Sequence, residues 1–420
     1  MQDFDRLWVW DDSALAGALG WYRAVAANRW PAKFRIAATV PLGLDPDTAG
    51  EGALWDELVR LTPAFLDRHR RIRDDGEALG PPVPGANLLD LCRALVGRML
   101  THCNFCRWDC AVDRSGDGKL GACKLESQAR VSSYFHHPGE ELVYRGRLGS
   151  GTIFFTSCNM RCAFCQNGDI STDKDNGVAV DARTLATMAW LLRMEGCHNV
   201  NWVGGDPTIH LHRIVEAIAL LGDPGFRPTR DELTRALGVK ADHFSRFEVS
   251  PSHAAYAGGF NAPMLWNSNF YMSAPAMKIL RLLTDVWLPD FKFGPGRCAI
   301  ALARTPYYWE TVTENLALIH AWGEDLTIRH LVMPEHVDCC TVPIIDWLAE
   351  HMPDVPVNIM DQYHPDNFCD PRNAKYDPRY AAISRRPTRD EFEAATAHAR
   401  ARGLPFETIT HEKRGRGLWS

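Results

Sequence analysis

The sequence predicts an α/β protein whose parallel sheet is closed or partly closed, and three observations lead there. From about residue 150 onward, short apolar runs alternate with amphipathic stretches of helical period, the pattern of repeated βα units. Upstream of 150 the texture differs, first helical and irregular, then rich in Gly, Cys and charge. No run approaches 18 apolar residues, so no membrane span is expected.

The elements follow in order. Residues 1–78 are helical and irregular, and "DELVRLTPAFLDRHRRIRD" carries apolar residues at helical spacing. "GPPVPGAN" (80–87) is a Pro/Gly break, and "LLDLCRALVGRML" (88–100) is a helix leading into the first cysteines. Residues 103–150 are expected as loop. "GTIFFTS" and "NVNWVGG" are the first two strands of the repeating part. Between them, Asp181 caps a helix carrying Leu185, Met188, Ala189 and Leu192. A helix with Ile214, Val215 and Ile218 follows. Later strands are "MLWNS", "DVWLPD", "DLTIRHLVM" and "VPVNIM". "PTRDEFEAATAHARARG" opens with Thr388 and Glu391 at capping-box spacing and ends on Gly403. Residues 222–260 read as an insertion with its own helix and a polar loop. The expected division is a helical extension (1–98), a Cys-rich segment (99–149) and the repeating α/β part (150–420).

Charge and composition narrow the function. The chain of 420 residues has net charge −6, which gives no broad basic surface for nucleic acid. The acidic start "MQDFDRLWVWDD" lacks the basic and apolar regions of a signal peptide, so a cytoplasmic setting is expected. Thirteen cysteines are unusual, and seven lie between Cys103 and Cys165. In a large chain of a reducing compartment, clustered thiols read as metal or cluster ligands rather than disulfides. The scattered six, Cys92, Cys197, Cys298, Cys339, Cys340 and Cys369, read as small buried hydrophobes, with the "DCC" pair (338–340) a weaker redox candidate.

Cys158, Cys162 and Cys165 lie in "FFTSCNMRCAFCQNGDIST", directly after a strand. A closed zinc site wants four protein ligands, and this run supplies three. Three thiolates can hold three irons of a [4Fe–4S] cube and leave the fourth iron open. A zinc site completed by His136 or His137 is the other reading. Cys-x3-Cys-x2-Cys with Phe164 before the last cysteine resembles the signature of the radical S-adenosylmethionine (SAM) enzymes. "CQNGDIS", "GGDPT", "WNSNFYMS", "LPDFKF", "RHLVMP", "NIMDQYHP" and "ISRRPTRDEF" extend the likeness over about residues 100–405. Together they resemble the pyruvate formate-lyase activating-enzyme homologue family.

That resemblance implies a partial (βα)6 barrel carrying a [4Fe–4S] cluster on Cys158, Cys162 and Cys165. The open iron would bind SAM, and one electron would cleave it to methionine and a 5′-deoxyadenosyl radical. It implies SAM contacts from Phe164, Asn167, Gly204, Gly205, Asp206, Pro207, Asn267 and Asn269, with Asp206 standing where the commonest version has Glu. Asp290 and Lys292 would point into the mouth, and one of Arg329 and His330 would face inward. Arg329 is favoured, beside a carboxylate, with Gln362 and Tyr363 nearby. An electron donor such as flavodoxin or ferredoxin is implied as partner. Two substrate readings stand: a glycyl-radical enzyme as target, or a small molecule or peptide. The extension and the insertion weigh toward the second, because an activase needs an open mouth. A non-catalytic iron–sulfur or zinc module remains a third. Upstream, Cys103, Cys106, Cys110 and Cys123 form a complete four-thiol set, for a second [4Fe–4S] cluster or a zinc ion. In the family Arg114 and Gly121 accompany this set, whereas Arg107 replaces a common proline. Trp266, Trp287 and Trp309 are expected in the core.

Overall fold

The computed structural model describes residues 4–116, 118–241 and 254–412. Its strands are β1 (Ala129–His137), β2 (Ser150–Phe155), β3 (Val178–Val180), β4 (Val200–Gly204), β5 (Ala255–Tyr256), β6 (Gly259–Phe260), β7 (Met264–Ser268), β8 (Val286–Pro289), β9 (Ile328–Leu331) and β10 (Val357–Met360). β2, β4, β7 and β8 pair in parallel in that order. β9 and β10 form a second parallel pair. Parallel bridges Trp287↔Leu326 and Asp290↔Arg329 tie β8 to the β9 segment. Six parallel strands thus form one arc, β2-β4-β7-β8-β9-β10, with helices in the crossovers, as the alternation predicts. The strands of β7 and β8 are buried along their whole length, which suits a sheet covered on both faces.

Tryptophans stand opposite one another across the arc, Trp202 beside Trp266 and Trp266 beside Trp287. All three are essentially fully buried, and Trp309 packs at the edge of the same core. They are core, as expected.

The leading edge of the arc differs from the sequence reading. Residues 129–137, expected as loop, form β1, antiparallel to β2 and to β3. The cause is visible in "ARVSSYFHH", whose Ala129, Val131, Tyr134 and His136 are buried while their neighbours are less so. Polar serines and histidines break the apolar alternation, and a bulge between Val131 and Ser133 shifts its phase. β1 and β3 cover the edge that β2 would otherwise present to solvent. His136 and His137, within the segment expected as loop, therefore lie on a strand. His136 is buried, with Nε2 2.9 Å from Glu195.

The N-terminal helices close the end of the arc where the parallel strands begin. Asp285, just before β8, accepts from the Trp21 indole (2.8 Å) and the Lys33 backbone N–H (2.9 Å). Asp325, before β9, accepts from the Tyr22 backbone N–H (2.7 Å). Asn199, before β4, donates to the Tyr22 hydroxyl (2.9 Å). The expectation that this extension narrows the mouth is corrected here: these contacts lie at the opposite end from the polar strand tips. Inside the expected insertion, Arg230–Leu237 is helical with a capping box from Thr229 and Glu232. Its polar loop at 242–253 lies outside the described residues.

Candidate active site

The loop after β2 carries the three cysteines to the carboxyl ends of the parallel strands. Ser157 turns the chain with φ +67° and is fixed by its N–H to Ile170 O (2.8 Å). Arg161 and Ala163 donate backbone N–H groups to Ala303 and Leu302. Cys158, Cys162 and Cys165 then line one cavity of about 320 Å³, together with Phe164 and Asn167. Their sulfurs receive donors: Met160 N–H on Cys158 (3.3 Å), the Asn269 amide on Cys158 (3.6 Å) and the Ser171 hydroxyl on Cys165 (3.2 Å). Burial pushes the Cys158 thiol well up and Cys162 up to about 12, with Lys292 opposing at Cys162. Burial likewise raises Cys165, against Ser171. Such thiols keep their protons at neutral pH until a metal displaces them.

β4 ends against this loop. A Cβ at Gly204, whose φ is +133°, would lie 2.3 Å from Phe155 O, and one at Gly205 would lie 1.6 Å from Ser157 O. These glycines are needed because the tip of β4 abuts the cysteine turn, with Gly205 N–H on Phe155 O (2.8 Å) and Asp206 N–H on Ser157 O (3.1 Å). The buried Asp206 carboxylate accepts from Thr208 N–H (2.9 Å), the Ser268 hydroxyl (2.9 Å) and Asn269 N–H (3.0 Å). Burial raises its pKa despite these donors. Asp206 thus ties the tips of β4 and β7 together. Pro207 opens the short helix Pro207–His210 and is not among the cavity-lining residues. Asn267 and Asn269 line the cavity, and the buried Asn267 side-chain amide nitrogen has no hydrogen-bond acceptor. An amide N–H in that position is ready for an anionic or carbonyl group.

The remaining wall is charged. Lys292 Nζ lies 2.5 Å from Asp290 Oδ2, and both line the cavity. Arg329 faces inward and His330 outward, where His330 meets Phe291 O and the Thr341 hydroxyl, both at 2.8 Å. The carboxylate partner of Arg329 belongs to the chain itself: it pairs with Glu140, and with Glu141 at 2.5 and 2.8 Å. Burial opposes the Arg329 charge, and Glu140 and Glu141 outweigh it, so its pKa stands well above the usual value. Burial likewise works against the Glu141 carboxylate, and Arg329 pulls it down to about 2. Two carboxylates share one guanidinium on this wall. His137, Glu140 and Met360 line the cavity too; the sequence offers His137 only as a zinc ligand, and sequence reasoning missed Glu140 and Met360. His137 and Glu140 lie in the segment expected as loop, and Met360 reads as an ordinary strand end. Gln362 lines the cavity, whereas Tyr363 is buried and donates to Ile383 O (2.6 Å).

The four-thiol segment packs directly behind the three-cysteine loop. The Trp108 indole donates to Asn159 O (2.7 Å), Arg161 donates to Ala122 O (2.6 Å), and the Ser157 hydroxyl donates to Cys123 O (2.9 Å). Buried Arg114 donates to Ile209 O (2.8 Å) and Glu126 O (2.8 Å), and holds the segment to the β4 crossover. Gly121 is required because a Cβ there would lie 2.9 Å from Cys110 Sγ.

Residues 152–249, which span β2, the cysteine loop and the β4 tip, match the family model described as the radical SAM superfamily. The chain belongs to the radical SAM superfamily. An uncharacterized protein of Methanocaldococcus jannaschii is 32% identical over 387 residues, covering 90% of this chain and 95% of that one, and the two belong to one family. Streptococcus suis SuiB bound to S-adenosylmethionine is similar with a TM-score of 0.38 and 11% identity, over 63% of this chain and 52% of that one. The chain therefore spans about half the length of that structure. SuiB bound to precursor peptide SuiA is similar with a TM-score of 0.40 and 10% identity, over 85% and 64%. Radical SAM membership implies an enzyme that uses SAM and a [4Fe–4S] cluster. Among the described residues no helix is long and apolar enough to cross a membrane.

Proposed function

We propose that this radical SAM enzyme abstracts hydrogen from a small polar molecule or a single peptide residue, with its cluster on Cys158, Cys162 and Cys165. The supporting observation is that three thiols, Cys158 buried and Cys162 and Cys165 half-buried, and the unpartnered Asn267 amide open onto one cavity. When bound, the cluster supplies an open iron for SAM and the electron that cleaves it. The chain's own residues do the rest. Met160, Asn269 and Ser171 donate toward the sulfurs and stabilise their anionic form. Asn267 donates to the carboxylate of SAM, and the β4 tip at Gly204–Asp206, with Pro207 setting its turn, seats the amino group. Phe164, edge-on to Phe293 with centroids 5.9 Å apart, and Asn167 close the loop side. Glu140, Arg329 and His137 form the polar wall that orients substrate.

Charged groups from Glu140, Asp290, Lys292 and Arg329 line the cavity of about 320 Å³, which suits a compact polar substrate. Phe368 N–H on Ala163 O (3.0 Å) further anchors the C-terminal segment over the cysteine loop. We assign Cys103, Cys106, Cys110 and Cys123 to a second [4Fe–4S] cluster that passes electrons from a flavodoxin or ferredoxin. Its support is the direct hydrogen bonding between the two cysteine segments. The reducing cytoplasm is the setting that thirteen unpaired thiols suit.

The test is anaerobic reconstitution with iron and sulfide, followed by dithionite and SAM. Wild type is expected to release 5′-deoxyadenosine and methionine, and the Cys158→Ala/Cys162→Ala/Cys165→Ala variant none. Iron-loaded wild type that leaves SAM intact contradicts the proposal.

A further inference from the structure

A third group of metal-ligating side chains lies on the outer side of the β8 and β9 loops. The ligand atoms of Cys298, His336 and Cys339 all lie within 4.8 Å of one another. Cys298 Sγ is 3.6 Å from Cys339 Sγ, and Cys339 Sγ is 3.9 Å from Cys340 Sγ. Two thiolates on one tetrahedral zinc, with bonds of about 2.3 Å, stand about 3.8 Å apart. The observed spacings bracket that edge. They are far longer than the ~2.05 Å of a disulfide.

The fold brings these residues together from positions distant in sequence. Cys298 opens the helix Cys298–Ala303 after β8. His336 precedes a π-helical turn, Val337–Thr341, after β9, in which Thr341 N–H reaches back to His336 O (3.2 Å). Isolated π turns of this kind are frequent at functional sites. The loop from β8 passes so close that a Cβ at Gly294 would lie 2.3 Å from Cys339 O and 2.9 Å from Cys340 Cα. The imidazole is oriented as well. His336 Nδ1 lies 2.8 Å from Pro334 O, a carbonyl that only accepts, so Nδ1 carries the proton and Nε2 keeps its lone pair. That is the arrangement in which a backbone carbonyl fixes a ligating histidine. Cys339 is exposed, Cys298 and His336 are half-buried, and Cys340 is buried, which gives an ion a route in and a closed far side.

We propose that Cys298, His336 and Cys339 bind a thiophilic divalent cation of the zinc class, with its fourth position open, separate from both cysteine groups described above. Soft sulfur donors with one imidazole at tetrahedral spacing select such an ion over calcium or magnesium. The thiols release their protons on binding. The ion pins the β8 loop to the β9 loop. At the other end of that β8 loop stand Asp290 and Lys292, whose backbone is clasped by the Tyr308 hydroxyl at 2.8 and 2.9 Å.

The test measures zinc and iron per chain in full-length protein, loaded anaerobically with iron and sulfide and then exposed to zinc under reductant. Wild type is expected to keep about one zinc more than Cys298→Ser/Cys339→Ser, with iron unchanged. Cys339→Ser alone alters an exposed side chain and guards against misfolding of the double variant. A cobalt titration of wild type should show thiolate charge-transfer and tetrahedral bands that His336→Asn weakens. Equal zinc in wild type and both cysteine variants overturns the proposal. So does iron falling together with zinc, or a Cys298–Cys339 disulfide forming in the reduced, zinc-exposed protein.

Discussion

Arg329 is held between two buried carboxylates, and removing it leaves both without their cation. Arg329→Ala is expected to cost about 3–5 kcal/mol in chemical denaturation, the range for breaking a buried pair. The sequence showed that a charge on β9 needed a partner, and alternation left Arg329 or His330 to supply it. It did not show Glu140 and Glu141, which arrive from 188 or more residues upstream along the chain. Asp206 presents a similar case. It reads as a SAM contact, and its carboxylate is committed to Thr208, Ser268 and Asn269. Asp206→Asn turns one acceptor into a donor facing donors, which releases the tip of β7 that carries Asn267 and Asn269. The expected outcome is SAM binding about tenfold weaker by equilibrium dialysis, with iron content unchanged. An unaltered Kd contradicts the positioning role.

Among the elements, capped helices and apolar parallel strands were the most legible, because each rests on local chemistry. The helix Arg389–Ala401 begins where Thr388 accepts from Glu391 N–H and the Glu391 carboxylate accepts from Thr388 N–H (2.6 Å). Thr388→Ala is expected to lower stability by about 1 kcal/mol in urea unfolding. Arg385 bonds Glu391 as well and, as the largest influence, draws its pKa down to about 2. A carboxylate depressed in the folded state adds stability above its unfolded pKa of about 4.3, and that contribution is lost as pH falls toward 2. Glu391→Gln should therefore flatten the acid limb of the stability profile in that window and leave its shape near neutrality unchanged. The β1 strand was illegible for the opposite reason. Its identity depends on pairing with β2 and on a bulge, and neither leaves a clean period in "ARVSSYFHH".

At the scale of the whole molecule, the six-stranded arc was readable from alternation, and the cysteine loop from ligand count and position after a strand. Most companions on the cavity wall, from Gly204 to Gln362, were legible only through the family resemblance, and Glu140 and Met360 not at all, because they come from different strand ends and a segment with no periodicity. Cys298 and Cys339 read as small buried hydrophobes, yet Cys298 is half-buried and Cys339 exposed. Their grouping with His336, 38 positions from Cys298, was not legible because only the β8 and β9 loops join them. The extension was read as crowding the mouth, yet its bonds to Asp285, Asp325 and Asn199 fix it at the far end. One end of the arc is thus built for stability and the other for chemistry. The central claim is that three cysteines hold a cluster whose remaining iron is open to SAM. Electron paramagnetic resonance of the dithionite-reduced protein, with and without SAM, tests it most directly. The account predicts that SAM shifts the cluster signal of wild type and has no effect in the Cys158→Ala/Cys162→Ala/Cys165→Ala variant. A wild-type spectrum indifferent to SAM, or a SAM-dependent shift that survives in the variant, contradicts it.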